Sequence, residues 1–235
     1  VFCCLLSYFY LMKKILLTIL MCLSIAVTFA KKSGNKFVEI QTTQGTIVVE
    51  LFADAVQHSE NFLKLVEEHF YDSVLFHRVI PQFMIQGGDP DSKHAMVGQF
   101  LGNGDIGYQV PAEIMFPTYY HKQGALAAAR TSNPEKKSSG CQFYIVVGKT
   151  FTDEELNSIE TNNGIKFSEE ARTAYKTVGG TPHLDGAYTV YGQTVEGQEI
   201  VNAISTVACD PSNRPKEDVR VLGMKVLKKW KPKKS

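Results

Sequence analysis

Two runs near the front of the chain are rich in β-formers. Phe37-Val38-Glu39-Ile40-Gln41-Thr42 and Thr46-Ile47-Val48-Val49-Glu50-Leu51-Phe52 are separated by Thr43-Gln44-Gly45. Two such runs around a short Gly-containing turn predict a hairpin. The next pattern has a helical period. Val56, Phe62, Leu63 and Val66 fall on one stripe, so a helix is expected to about Glu68, with Asp54 as its cap and the stripe in the core. His58 and His69 are then expected on its surface. Residues 74–89 form an apolar run that holds one cation, Arg78, and one amide, Gln86. Pro81 interrupts the run, which predicts two short strands meeting at a bend. Periodicity alone makes Arg78 a solvated side chain that shares a strand face with Ile80.

Residues 87–111 are rich in Gly, Asp, Asn and Pro and read as loop. Gly124-Ala125-Leu126-Ala127-Ala128-Ala129 reads as a closely packed strand and residues 142–147 as a buried one. Thr152-Asp153-Glu154-Glu155 opens a helix with a capping box, and residues 168–176 also have a helical pattern. This pair predicts an inserted helical hairpin at about residues 150–178. Strands at 188–195 and 219–227 flank a short helix at 197–205. Many short strands without βαβ alternation predict a mostly antiparallel sheet, closed or sandwiched.

Composition narrows this picture little. The chain has 235 residues, a net charge of +1 and 44% hydrophobic residues, which suits a globular domain and gives no electrostatic reason to expect nucleic acid. The front end changes more. Met12-Lys13-Lys14, an apolar run over 15–29 and Ala30-Lys31-Lys32 have the order of a secretory signal. We therefore expect a leader over residues 1–30, a start at Met12 and a mature chain from about Lys31, exported to the periplasm. Retention as an apolar anchor is the alternative. The domain is expected over 36–228, with a basic tail over 229–235. Cys3, Cys4 and Cys22 fall in the leader, while Cys141 and Cys209 could pair or stay free.

Hydrolytic and cofactor chemistry find no support. No Gly-x-Ser-x-Gly elbow is present, Cys141 has no motif around it, and the six histidines lack metal spacing. Gly102-Asn103-Gly104-Asp105-Ile106-Gly107 matches a dinucleotide fingerprint in form, but no strand leads into it and no helix start follows. No metal and no cofactor are expected.

Four ordered motifs carry a resemblance. They are Phe76-His77-Arg78-Val79-Ile80, Phe83-Met84-Ile85-Gln86-Gly87-Gly88-Asp89, Gly140-Cys141-Gln142-Phe143-Tyr144-Ile145, and the stretch from His183-Leu184-Asp185-Gly186 through Tyr191-Gly192. Together they resemble the motifs of cyclophilins, which are peptidyl-prolyl cis-trans isomerases. The resemblance implies a mainly β fold: a closed eight-stranded antiparallel barrel capped by two helices, here with the inserted hairpin. It implies an active site on the barrel's outer face, with Arg78, Phe83 and Gln86 as catalytic residues. Substrate would be held by His77, Met84, Gln142, Tyr144, His183, Leu184 and Tyr188, and by the backbone of Ala129-Arg130-Thr131. The implied partners are proline-containing polypeptides met by a monomer, and the implied role is folding of exported proteins. A proline-peptide holdase with little turnover is the second reading. Four positions depart from the common pattern: Tyr144 stands for Phe, His183 for Trp, Tyr188 for His, and Arg130 for the central Asn. Because the Trp position is tied in this family to cyclosporin, weak binding of that drug is expected.

Overall fold

The computed structural model describes residues 34–231. The expected leader and the end of the expected tail lie outside the described residues. The predicted hairpin is strands β1 (Lys36–Thr42) and β2 (Gly45–Leu51), paired from Lys36 opposite Leu51 to Thr42 opposite Gly45. Helix α1 (Val56–Glu67) follows, and the 74–89 run folds into β3 (Arg78–Ile80) and β4 (Met84–Gly87). Then come β5 (Gln109–Val110), β6 (Ala125–Ala128), β7 (Ser138–Ser139) and β8 (Phe143–Val146). Helices α2 (Asp153–Asn163) and α3 (Glu169–Thr177) form the hairpin, before β9 (Val190–Glu196), α4 (Gln198–Ser205) and β10 (Val221–Leu227).

Eight strands form one antiparallel curled sheet in the order β10-β1-β2-β9-β6-β8-β4-β3, while β5 and β7 pair separately. The expectation of a closed barrel is met only as far as this curled sheet. The edge strands β3 and β10 do not form a ladder with each other. The segments ahead of them meet instead: the Phe76 N–H donates to Val219 (2.9 Å), and the Val221 N–H donates to Val74 (2.8 Å).

Alternation along the strands sorts two apolar clusters. Ile85, Leu126, Phe143 and Ile145 face the inner core with Phe62, Leu65 and Val66 of α1 and Val201 and Ile204 of α4. Met84, Ala125, Ala127, Tyr144 and Val146 form an outer cluster. Central strands β6 and β8 are thus buried on both faces. Burial of an added Leu-sized side chain stabilises by about 1.5–3 kcal/mol, so both clusters contribute.

Three local expectations are corrected. Asp54 does not cap α1. The Glu113 carboxylate does, accepting from the backbone N–H groups of Gln57 (3.0 Å) and His58 (2.9 Å), 56 and 55 residues away in the chain. Val56 lies outside the buried stripe and is 47% exposed. His58 is buried, its Nδ1 2.6 Å from Glu113 and its Nε2 2.9 Å from Ser138. An imidazole is tolerated there because both nitrogens are matched.

The insertion builds its own small core. Leu156, Phe167, Ala171 and Tyr175 pack with Tyr120, and Thr152 and Glu155 close the predicted capping box. The domain also runs past its expected end. Trp230 stacks on Phe37 with centroids 5.0 Å apart, so this part of the expected tail is docked.

Candidate active site

Register places the central side chains. Arg78 stands opposite Gln86, Gln86 opposite Tyr144, and Tyr144 opposite Ala127. Opposed residues of antiparallel strands share a face, so Arg78, Gln86 and Tyr144 form one row across β3, β4 and β8. Arg78 Nη1 donates to Gln86 Oε1 at 3.2 Å. Gln86 Nε2 donates to Gln142 Oε1 at 3.0 Å. Gln142 Nε2 donates in turn to the carbonyls of Gly102 (3.0 Å) and Gly104 (2.8 Å). Arg78 is therefore half-buried and oriented, not a free solvated cation.

The β3–β4 bend brings Phe83 beside it. Gln82 takes φ +57° in the turn, and the Arg78 guanidinium carbon lies 6.0 Å from the Phe83 ring centroid. The strand-to-loop step after β4 needs Gly88, at φ +91°, where a Cβ would collide with the Cys141 carbonyl.

These groups border a cavity of about 400 Å³. Arg78 and Gln86 give its polar side, and Phe83, Met84, Tyr144, Leu184 and Tyr188 its apolar side, with Ala129 and Arg130 at the edge; His77 also lines it, but its ring nitrogens are buried and unpaired among the described residues. A smaller cavity of about 180 Å³ adjoins it through Gln86, Ala129 and Arg130 and adds Thr131 and Gln142. His183 lines neither. It stacks on Phe83 with centroids 5.6 Å apart, and burial lowers its pKa.

The Ala129 backbone is already engaged, its N–H with Gln142 (3.0 Å) and its carbonyl with Ser139 (2.8 Å). The backbone N–H and carbonyl of Arg130 have no partner among the described hydrogen bonds. The Arg130 side chain folds aside, its guanidinium 4.5 Å from the Tyr188 centroid and its Nε donating to Ala187 at 3.1 Å. That stacking leaves the positive charge on the rim.

Sequence reading missed the opposite wall. Residues 98–103, with Asp210, Ser212 and Arg214, complete the larger cavity. Buried Arg214 pins this loop by donating to the carbonyls of Met96 (2.9 Å) and Gln99 (2.7 Å) and pairing with Asp218 (3.0 Å). Asp89 also grips it, accepting from the Gly102 N–H. The glycine-rich stretch is thus a wall held by its backbone, and no helix follows it. Only the loop composition could have signalled it.

The site sets the oriented Arg78 guanidinium beside an apolar hole, with Arg130 and Arg214 elsewhere on the lining, each held by its own partners. Burial draws the His77 pKa down to about 4, against the pull of Asp89. Burial pushes the Cys141 thiol up to about 11, so no thiolate nucleophile is available near neutral pH. Cys141 and Cys209 are both free. Such a site can bind an apolar ring and donate to one developing lone pair.

Comparison with known proteins places the chain in a family. The family model for cyclophilin-type peptidyl-prolyl cis-trans isomerases matches residues 37–226. A Staphylococcus haemolyticus protein assigned by name to the peptidyl-prolyl cis-trans isomerases is 32% identical over 77% of this chain and 86% of its own length. A Streptococcus pyogenes protein named as a bifunctional phosphatase and peptidyl-prolyl cis-trans isomerase is 35% identical over 81% of this chain, which spans only 38% of that longer protein. A Cryptosporidium parvum cyclophilin-type isomerase has the same fold, with a TM-score of 0.63 and 24% identity over 83% of this chain and 99% of its own. The chain belongs to the cyclophilin-type peptidyl-prolyl cis-trans isomerase family.

Proposed function

We propose that isomerisation of X–Pro bonds takes place in the Arg78 cavity. The observation that carries this is the guanidinium held by Gln86 at the edge of an apolar hole. An X–Pro amide prefers trans by only about 0.5–1 kcal/mol, yet its rotation barrier is about 18–20 kcal/mol because conjugation must be broken. In the twisted state the nitrogen becomes pyramidal and basic. Arg78 donates to that nitrogen, and its planar fork suits it better than lysine. Phe83, Met84, Tyr144 and Leu184 hold the pyrrolidine ring. Gln86 orients Arg78, and the unpartnered Arg130 backbone pairs with the extended substrate. A contact stronger in the twisted amide than in the planar one lowers the barrier.

The partner is an extended proline-containing polypeptide. A related Cryptosporidium parvum structure was determined in the presence of the dipeptide Ala-Pro, which supports this reading. The leader pattern at residues 12–30 supports exported clients and a periplasmic enzyme. Mass spectrometry of the native N-terminus tests that part, and an uncleaved Met12 would contradict it. The backbone bonds between residues 73–79 and 213–221 support a sheet closed into a barrel along that seam.

A proline-isomerisation assay on a short peptide tests the catalytic reading. Wild type is expected to accelerate exchange, and Arg78→Ala to lose that acceleration. Equal rates for the two proteins would leave a holdase as the better description.

A further inference from the structure

The Tyr144 hydroxyl, on a residue that lines the cavity, is taken up by a buried neighbour. It meets His121 Nε2 at 3.0 Å. His121 Nδ1 lies 2.7 Å from Asp185 Oδ1, which also accepts from the His121 backbone N–H at 2.9 Å. Asp185 Oδ2 accepts from the Tyr175 hydroxyl at 2.5 Å. Tyr144 is 4% exposed, His121 1%, Asp185 3% and Tyr175 0%. The chain of bonds therefore starts on the cavity wall and ends in α3 of the insertion.

Its direction follows from donor inventory. An Asp carboxylate only accepts, so His121 Nδ1 carries a proton toward it. In the neutral imidazole, His121 Nε2 then accepts from the Tyr144 hydroxyl. Burial raises the pKa of both tyrosines, which keeps both hydroxyls protonated. The same node touches a second wall residue. Asp185 directly follows Leu184 in the chain, and the Thr181 N–H donates to the His121 carbonyl at 2.8 Å, fixing the turn that presents Leu184.

We propose that His121, Asp185 and Tyr175 are positioning residues for the proline pocket, through which the helical insertion fixes the Tyr144 ring and the Leu184 turn. This rests on the reading of the Arg78 cavity as the isomerase site. None of the three touches substrate. A wall that must fit the twisted ring better than the planar one loses kcat when it slackens, while ground-state binding changes less. The insertion is thereby part of the working site and not a surface decoration.

The test uses the full chain with Tyr175→Phe, Tyr144→Phe and the double variant. Three readouts are taken: kcat and KM on a short proline peptide, urea unfolding, and the carbon-13 shift of tyrosine Cζ in ring-labelled protein. Tyr175→Phe is expected to lower kcat about three- to tenfold, with KM within about twofold, and to move the Tyr144 Cζ line. In the Tyr144→Phe background its effect on kcat should shrink to the part carried by the Leu184 turn, well short of the product of the two single effects. His121→Gln should restore part of what His121→Ala removes. Effects on kcat that multiply in the double variant would overturn the proposal. So would an unfolding shift with kcat and the Tyr144 line unchanged. If Tyr175→Phe does not fold, Tyr144→Phe is read through the Tyr175 line, where an unmoved line is the contrary result. If wild type turns over no proline peptide, the isomerase reading fails, and the Cζ lines alone then decide the coupling.

Discussion

The two walls of the larger cavity are built in different ways. On one side, Arg78, Gln86 and Tyr144 sit opposite one another on three adjacent strands, so register sets their spacing. On the other, residues 98–103 belong to no strand, and their place is set by buried polar groups that bind backbone atoms. Arg214 holds two carbonyls, Gln142 holds two more, and Asp89 takes an N–H. A register wall is over-determined by its ladder, and removing one side chain leaves the rest in place. A gripped loop depends on a few polar groups, and each one lost leaves buried carbonyls or charges unmatched.

The largest effect should separate chemistry from scaffolding. Arg78→Ala is expected to lower kcat/KM about 100- to 1,000-fold, about 3–4 kcal/mol, with little change in urea unfolding. A loss of stability comparable to the loss of rate would blur the distinction between the walls.

Next comes acid sensitivity. His77 is 3% exposed, and its folded pKa is depressed from 6.5 to about 4. Between those values the unfolded chain binds a proton that the folded chain does not. Stability is therefore full above about pH 6.5 and is lost as pH falls toward about 4, by about 3 kcal/mol for this group. Urea midpoints at pH 7.5 and 4.5 measure the loss. His77→Leu should narrow the gap without closing it, because burial lowers the His58 pKa as well.

Arg214→Leu probes the gripped wall. It frees the Met96 and Gln99 carbonyls and leaves Asp218 without its nearest partner on this side chain. We expect about 2–3 kcal/mol of lost stability, and a smaller loss of kcat/KM than for Arg78→Ala. An unchanged urea midpoint would mean the loop is held by something else.

Gln142 bridges the walls, so its effect should be mixed. Gln142→Ala is expected to lower kcat/KM about tenfold, about 1.4 kcal/mol, through misorientation of Gln86 and slackening of residues 102–104. The smallest effect concerns His183, which rests on Phe83 outside the cavities. His183→Trp should tighten cyclosporin binding several-fold, by about 1 kcal/mol, and leave peptide turnover nearly unchanged. Nanomolar-scale inhibition of the unmodified protein would contradict the expected weak binding.

Much of the register wall was legible before the fold was known. The Pro81 break placed β3 and β4, and the motifs around Arg78, Gln86 and Tyr144 named the row. The capping box at Thr152 located α2 within a residue. What escaped detection shares one property. Glu113 capping α1, Arg214 gripping the loop, and His121 and Asp185 tying Tyr144 to Tyr175 all join residues far apart in sequence, with no local pattern around them. Val56 and His58 failed for a related reason. The helical stripe gave the period, but which side of α1 met Glu113 and Ser138 depended on loops the stripe does not describe.

By itself, then, while the short pair β5 and β7 lay in stretches read as loop, the sequence determined the strands of the main sheet, the helices, the family and the residues of the register wall. Those follow from side-chain alternation and turn chemistry, which act over a few residues. The tertiary structure decided how far the sheet closes, which buried polar groups are matched, and how the insertion reaches the pocket. Those are matters of spatial proximity once water is excluded: a buried donor must find whatever acceptor the fold brings near, wherever that acceptor lies in the chain.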